Sequence, residues 1–172
     1  MQNIISGYEA FVDNVNRGLT ECGIDRDELA MMDHICYRVE TDERYDEMKR
    51  KLGEAAHLLG ETEVSGRLIA TFECDEPLRA GGWQIPCIEL PQPKEGAPYP
   101  EGLEHVELVT VRSLEQFEAL HPDLPFDHKG MGKTIFPELG LKHAGISVKF
   151  HEQPLGAVVR IENRLKRNGY EE

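Results

Sequence analysis

The sequence predicts an α+β fold of two similar halves behind a helical N-terminal extension. Met32-Asp33-His34-Ile35-Cys36-Tyr37-Arg38-Val39 and Leu103-Glu104-His105-Val106-Glu107-Leu108-Val109-Thr110, 71 positions apart, both read as strands, and both place an acid and then a histidine near their start. A unit repeated in so short a chain points to a fold assembled from two copies of one supersecondary element. Each copy is followed by a capped amphipathic helix and, later, by a strand that runs into proline, at 84–93 and 145–154. Allowing one extra residue before the final proline, Glu89 aligns with Lys149.

The elements follow in order. Ile5, Tyr8, Val12, Val15, Leu19 and Cys22 trace one helical face that Gly23 stops, and a second short helix is expected around 26–31. A strand over 32–39 leads to Thr41 as N-cap of a helix over 42–59, in which Tyr45, Met48, Leu52 and Leu59 keep helical spacing up to Gly60. Strands are expected from about 63 to 73, turning at Gly66, and from 83 to 90. Residues 91–100, rich in Pro, Gly and charge, form a linker. The second half repeats a strand at 103–110 and a helix at 113–121, where Ser113 and Gln116 fit a capping box and Pro122 ends the helix. Two or three strands are expected within 126–151. Leu155, Val158, Ile161 and Leu165 then suit a last helix, with Arg164, Lys166 and Arg167 towards its C-terminus and Gly169 as its stop; a strand over 158–162 is the alternative. The expected organisation is a helical cover (1–30), a first module (31–94), a second module (101–152) and a C-terminal helix (153–172), all in one compact domain.

A chain of 172 residues can bury enough apolar surface to fold unaided. Its formal charge of -13 argues against nucleic acid and against an anionic membrane surface, both of which recruit clustered Lys and Arg. With neither a signal-peptide pattern nor an apolar run of spanning length, a cytoplasmic location is expected. Cys22, Cys36, Cys74 and Cys87 have no CxxC spacing and read as buried free thiols. His57, His121, His128 and His143 are assigned no role.

Residues two apart in a strand share a face, so His34, Cys36 and Arg38 line up, as do His105, Glu107 and Val109. If a pseudo-twofold axis relates the halves, His34 and His105 meet across a common cleft, and Glu89 from a neighbouring strand joins them as a facial triad. Two imidazoles and one carboxylate leave up to three open positions on a divalent metal, which suits Fe(II) oxygen chemistry or Lewis-acid activation. Arg38, Arg67 and Lys149 would surround the triad with positive charge fit to hold an anionic substrate; Arg38 can equally pair with a neighbouring acid. No phosphate loop, nucleophile elbow or HExxH helix occurs, and Gly130-Met131-Gly132-Lys133-Thr134 lacks the spacing of a P-loop.

This double pattern, with a histidine at the start of each half and Glu89 closing the first, resembles the vicinal oxygen chelate superfamily, which includes glyoxalase I, extradiol dioxygenases and methylmalonyl-CoA epimerase. Asp33-His34-Ile35, Gly66-Arg67, Glu76-Pro77, Trp83-Gln84, Ile88-Glu89-Leu90-Pro91, 102–106 and Lys149-Phe150-His151 together look like the YecM family of bacterial proteins within it. The likeness covers about residues 30–154. It implies paired βαβββ modules in pseudo-twofold arrangement whose curled sheets form a metal-binding cleft, with His34, Glu89 and His105 in three of the usual ligand positions. The fourth, a Glu on the last strand of the second half, appears here as Lys149, a departure that counts against glyoxalase-type chemistry. His151 or Glu162 are alternative fourth ligands. Lys149 can anchor an anionic substrate, act as a catalytic base with its pKa lowered by the metal's charge, or take the metal's place. The expected function is that of a protein binding Fe, Mn, Ni or Zn, an isomerase, lyase or dioxygenase acting on a small oxygen-chelating anion. The alternative is a metal-free ligand-binding protein with an apolar cleft lined by Trp83 and Phe150. A monomer is preferred over a homodimer.

Overall fold

A computed structural model describes residues 4–94, 96 and 99–167 of the chain. In chain order the elements are α1 (Tyr8–Glu21), a 3-10 turn (Arg26–Glu28), β1 (Leu29–Arg38), α2 (Asp42–Leu52), β2 (Ala56–Val64), β3 (Arg67–Ala80), β4 (Trp83–Pro91), β5 (Gly102–Thr110), α3 (Leu114–Leu120), β6 (Phe126–Asp127), β7 (Leu139–His143), β8 (Ile146–His151) and α4 (Leu155–Arg167). The strands form one sheet in the order β2-β3-β4-β1-β5-β8-β7-β6. Each half is a βαβββ unit whose first strand lies parallel to its last, β1 to β4 and β5 to β8. The antiparallel pair β1–β5 joins them.

The register makes the internal symmetry explicit. Ile35 pairs with Val106, flanked by His34 opposite Glu107 and Cys36 opposite His105. A twofold through the central pair therefore exchanges His34 with His105 and Cys36 with Glu107. Cys36 lies beside Glu89 as Glu107 lies beside Lys149, so Glu89 and Lys149 are symmetry mates. The same pairing contains three bulges, with one residue extra on β1 between Leu29 and Met31, another between Met32 and His34, and one extra on β5 between His105 and Leu103. The extra residues of the last two are Asp33 and Glu104, each directly before its histidine.

Side-chain alternation gives the sheet two different faces. Met32, Ile35, Val39, Ile88, Leu90, Val106, Leu108, Val148 and Phe150 belong to the apolar core. Onto this core pack Tyr8, Val12, Val15 and Leu19 of α1, Tyr45, Met48 and Leu52 of α2, and Leu114 and Phe117 of α3. Thr41 caps α2 by accepting the Arg44 N–H at 3.2 Å, and Ser113 with Gln116 completes a capping box on α3. The opposite face, carrying His34, Cys36, Arg38, Glu89, His105 and Glu107, lines a cavity.

Several boundaries differ from the expectations. Helix α2 ends at Leu52, because Gly53 closes it and residues 56–64 pair with β3 instead of continuing to Gly60. The second short helix shrinks to three residues, and β1 starts early, at Leu29, since its N-terminal end pairs with β5. Residues 155–167 are helical, so Glu162 is not on a strand. Gly169, the expected stop, lies outside the described residues, as do 95, 97 and 98 of the linker.

Candidate metal centre

The acid preceding each histidine holds it in place. His34 Nδ1 lies 3.0 Å from Asp33 Oδ2 and His105 Nδ1 lies 2.5 Å from Glu104 Oε2. Consecutive residues of a regular strand point to opposite faces; the bulges at Asp33 and Glu104 remove that restriction, so each carboxylate reaches the imidazole beside it. With the Nδ1 proton donated to the acid, Nε2 is the nitrogen that faces the cluster and the one a metal would take by displacing its proton. This carboxylate–imidazole arrangement is the one that orients metal-binding histidines.

Both Nε2 atoms converge on Glu107. Its Oε1 is 3.0 Å from His105 Nε2 and 3.4 Å from His34 Nε2, and Glu89 Oε2 is 4.0 Å from His105 Nε2. Ligand atoms about 2.1 Å from one ion lie roughly 3 to 4 Å from each other, and His34, Glu89, His105 and Glu107 each offer an atom within 4.8 Å of the rest. Among the described residues His34 Nε2 is buried without a hydrogen-bond partner, an arrangement that costs free energy unless another group or an ion engages it. The residues therefore fit a divalent ion. Two imidazoles and two carboxylates form a mixed N/O donor set that Mn, Fe, Ni and Zn all accept.

Glu107 was not among the ligands expected from the sequence. It shares a strand face with His105, and that His-x-Glu alternation was the available signal; its symmetry mate is the uncharged Cys36, so the repeat did not point to it. It is also the electrostatic hub. Burial pushes its pKa up, yet His34, His105 and His151 hold it well below the usual carboxylate range. Burial lowers the His34 pKa, but Glu107 and Asp33 override it and lift the group to about 10. His105 is likewise raised against its burial, by Cys36, Glu104 and Glu107.

Lys149 donates to Glu107 Oε1 at 2.9 Å and lies 3.6 Å from Glu138 Oε2. Burial works to lower its pKa, but Glu107, Glu138 and Glu89 raise it above the ordinary lysine value; a catalytic base needs the opposite shift, which the positive charge of a bound ion would have to supply. His151 also bonds Glu107 through Nε2, while its Nδ1 donates to the Pro137 carbonyl at 2.8 Å. Glu107, Glu138 and His151 thus make a second, adjoining cluster.

The cavity measures about 830 Å³ and receives His34, Arg38, Arg67, Glu89, His105, Glu107 and Lys149. Leu155, Val158, Val159 and Glu162 of α4 also line it. Arg38 pairs with Glu104 at 2.5 Å. Trp83 and Phe150, expected to line an apolar cleft, lie elsewhere. Trp83 is covered by Arg26 and donates to Asn16 Oδ1 at 2.8 Å, and Phe150 packs on Phe117 with ring centroids 4.6 Å apart. Among the described residues no helix is long and apolar enough to cross a membrane.

Comparison with known proteins agrees with this architecture. Protein YecM of Escherichia coli (strain K12) is 28% identical over 163 residues, spanning 95% of this chain and 80% of that protein. The solved structure of a structural-genomics target, Protein EC4020, superposes with a TM-score of 0.76 at 27% identity, covering 94% of this chain and 92% of that one. Methylmalonyl-CoA epimerase from Mycobacterium tuberculosis shares the fold at a TM-score of 0.53 and 12% identity, over 74% of this chain and 90% of that one. The two βαβββ modules are those of the vicinal oxygen chelate fold. The family model for YecM protein matches residues 1–162, and the chain belongs to the YecM family.

Proposed function

We propose that this protein binds one divalent metal through His34, Glu89, His105 and Glu107 and is a metal-dependent enzyme acting on a small, oxygen-chelating, anionic substrate. The observation that carries this reading is the pair of bulged acid–histidine dyads, both aiming a buried Nε2 at Glu107. When bound, the ion would supply Lewis-acid polarisation of substrate oxygens or a site for dioxygen chemistry. Isomerase, lyase and dioxygenase reactions all fit that description. The chain's own residues then have separate tasks. Asp33 and Glu104 hold the imidazole protons on Nδ1. Lys149, kept charged by its carboxylate neighbours, and Arg38 and Arg67 orient the anion. Helix α4 restricts water at the cavity wall. Both modules contribute ligands from a single chain, which favours a monomer.

One observation favours a second reading, a metal-free small-ligand-binding protein. The Lys149 ammonium at 2.9 Å from Glu107 already neutralises part of the cluster. Elemental analysis of freshly purified and reconstituted protein separates the two. Stoichiometric Fe, Mn, Ni or Zn in the wild type and in His128→Ala, absent from His34→Ala and His105→Ala at unchanged circular dichroism, is the expected result. Equal metal content in all four proteins, or none even after reconstitution, sinks the metal reading.

A further inference from the structure

The structure assigns to Arg38 and Arg67, held together by Tyr99, an anion-binding subsite for a carboxylate or phosphate group at the end of the substrate remote from the metal. It deepens the metal-centred reading and rests on it only in saying which end of the ligand lies here. The subsite is displaced along the strands. Arg38 follows His34 by four residues on the same face of β1. Arg67 precedes by four residues Thr71, whose cross-strand partner is Glu89. At ~3.3 Å per residue Arg38 is rooted about 13 Å along β1 from His34, and Arg67 about 13 Å along β3 from Thr71.

Tyr99 brings the two side chains together. The Arg38 guanidinium sits 4.2 Å from its ring centroid, and Arg67 donates to its hydroxyl at 3.2 Å while the hydroxyl donates to the Gln92 carbonyl at 3.1 Å. The Tyr99 ring supports the Arg38 guanidinium, and neutral acceptors fix that of Arg67 without spending its charge. Arg67 bonds only to Gln92 O and Tyr99 Oη, and no carboxylate pairs with it among the described residues. Arg38 gives one amino group to Glu104, while its Nε is buried with no acceptor. A bound oxyanion would satisfy these donors. Of the other cations on the wall, Lys129 is committed to Asp127, Lys133 to Glu138 and Lys149 to Glu107, while Lys142 acts on Glu104.

Charge across the cavity agrees. Its lining holds six cations and six carboxylates, so the chain's whole formal excess of 13 negative charges lies outside it. A lining of zero net charge repels an anion less than the acidic remainder of the chain does. Glu104 connects the two ends, with one oxygen on Arg38 and the other on His105.

The test titrates inorganic phosphate and, separately, acetate into wild type and into Arg67→Gln, Tyr99→Phe and Lys129→Gln, following arginine Nε–Hε resonances by NMR with metal content measured in each sample. Saturable shifts of two arginine side chains are expected, about tenfold weaker in binding for Arg67→Gln, weakened less in Tyr99→Phe and unchanged in Lys129→Gln. Tighter binding of phosphate identifies a phosphoryl subsite, and tighter binding of acetate a carboxylate subsite; both support the assignment. His34→Ala is expected to keep the saturable response, so failure of the metal reading and failure of the subsite are distinguishable. No saturable response in wild type, or equal losses in Lys129→Gln and Arg67→Gln, overturns the proposal.

Discussion

Asp33 does two jobs with one oxygen. Its Oδ2 accepts from His34 Nδ1 at 3.0 Å and from the backbone N–H of Leu155, the first residue of α4, at 2.8 Å. A buried carboxylate thereby ties a candidate metal ligand to the helix on the cavity wall. Asp33→Asn preserves the shape and removes the charge. Loss of such an outer partner typically costs 10- to 100-fold in metal affinity, and that loss is expected here by chelator competition, together with faster amide exchange in the first turn of α4. Glu104→Gln should show the affinity loss without the change in α4. An Asp33→Asn protein within twofold of wild type in affinity would show that the dyad does not orient His34. The acid–histidine pairs were legible in the sequence because both halves repeat them. That each acid serves its own neighbour was not, because it depends on two bulges that no residue pattern announces. Glu107 stayed hidden for a related reason, its symmetry mate being Cys36.

Elements were legible where local chemistry and tertiary pairing agree. The capping residues Thr41 and Ser113 set the starts of α2 and α3 as expected. The end of α2 was overrun because Leu59 continues a helical spacing, while Gly53 and pairing with β3 turn that segment into a strand. The hairpins show the same agreement and one exception. Gly81-Gly82 and Ala144-Gly145 close the equivalent β3–β4 and β7–β8 turns, and Ser65-Gly66 closes β2–β3, each with both residues at positive φ, the geometry that matches strand twist. Ala144, at φ 50°, takes this conformation with a Cβ and without a side chain that bonds locally. Ala144→Asn creates the preferred Asn-Gly pair, and a stabilisation of about 0.5–1 kcal/mol is expected. For a chain of this size that is a rise of about 1–4 °C in melting temperature, measurable by calorimetry. A fall in melting temperature would mean that the turn is set by packing, not by the residue's own preference.

At the scale of the whole molecule, one sheet carries both modules, so the chemistry of its interior limits the conditions under which the fold persists. Cys36 on β1, Cys74 on β3 and Cys87 on β4 are buried free thiols. Burial pushes Cys36 and Cys74 up to about 11 and Cys87 up to about 12, with the carboxylates of Asp33 and Glu73 adding to the rise at Cys87. An unfolded thiol titrates near 8.5. Because the folded pKa is raised, the stability these groups contribute is fully present below the unfolded value and is lost as pH climbs through the folded values. Each thiol gives up about 1.4 kcal/mol per pH unit across that window. Global stability by denaturant titration is therefore expected to be flat with respect to these groups below about pH 8 and to fall progressively towards pH 11. At pH 8 the native protein should react rapidly with a thiol reagent only at Cys22, the one partly exposed cysteine, and the other three should react at the rate of opening. Three or four fast thiols at pH 8 would mean that β1, β3 and β4 are not closed over their core in solution; slow thiols with undiminished stability at pH 11 would place their folded and unfolded pKa values close together.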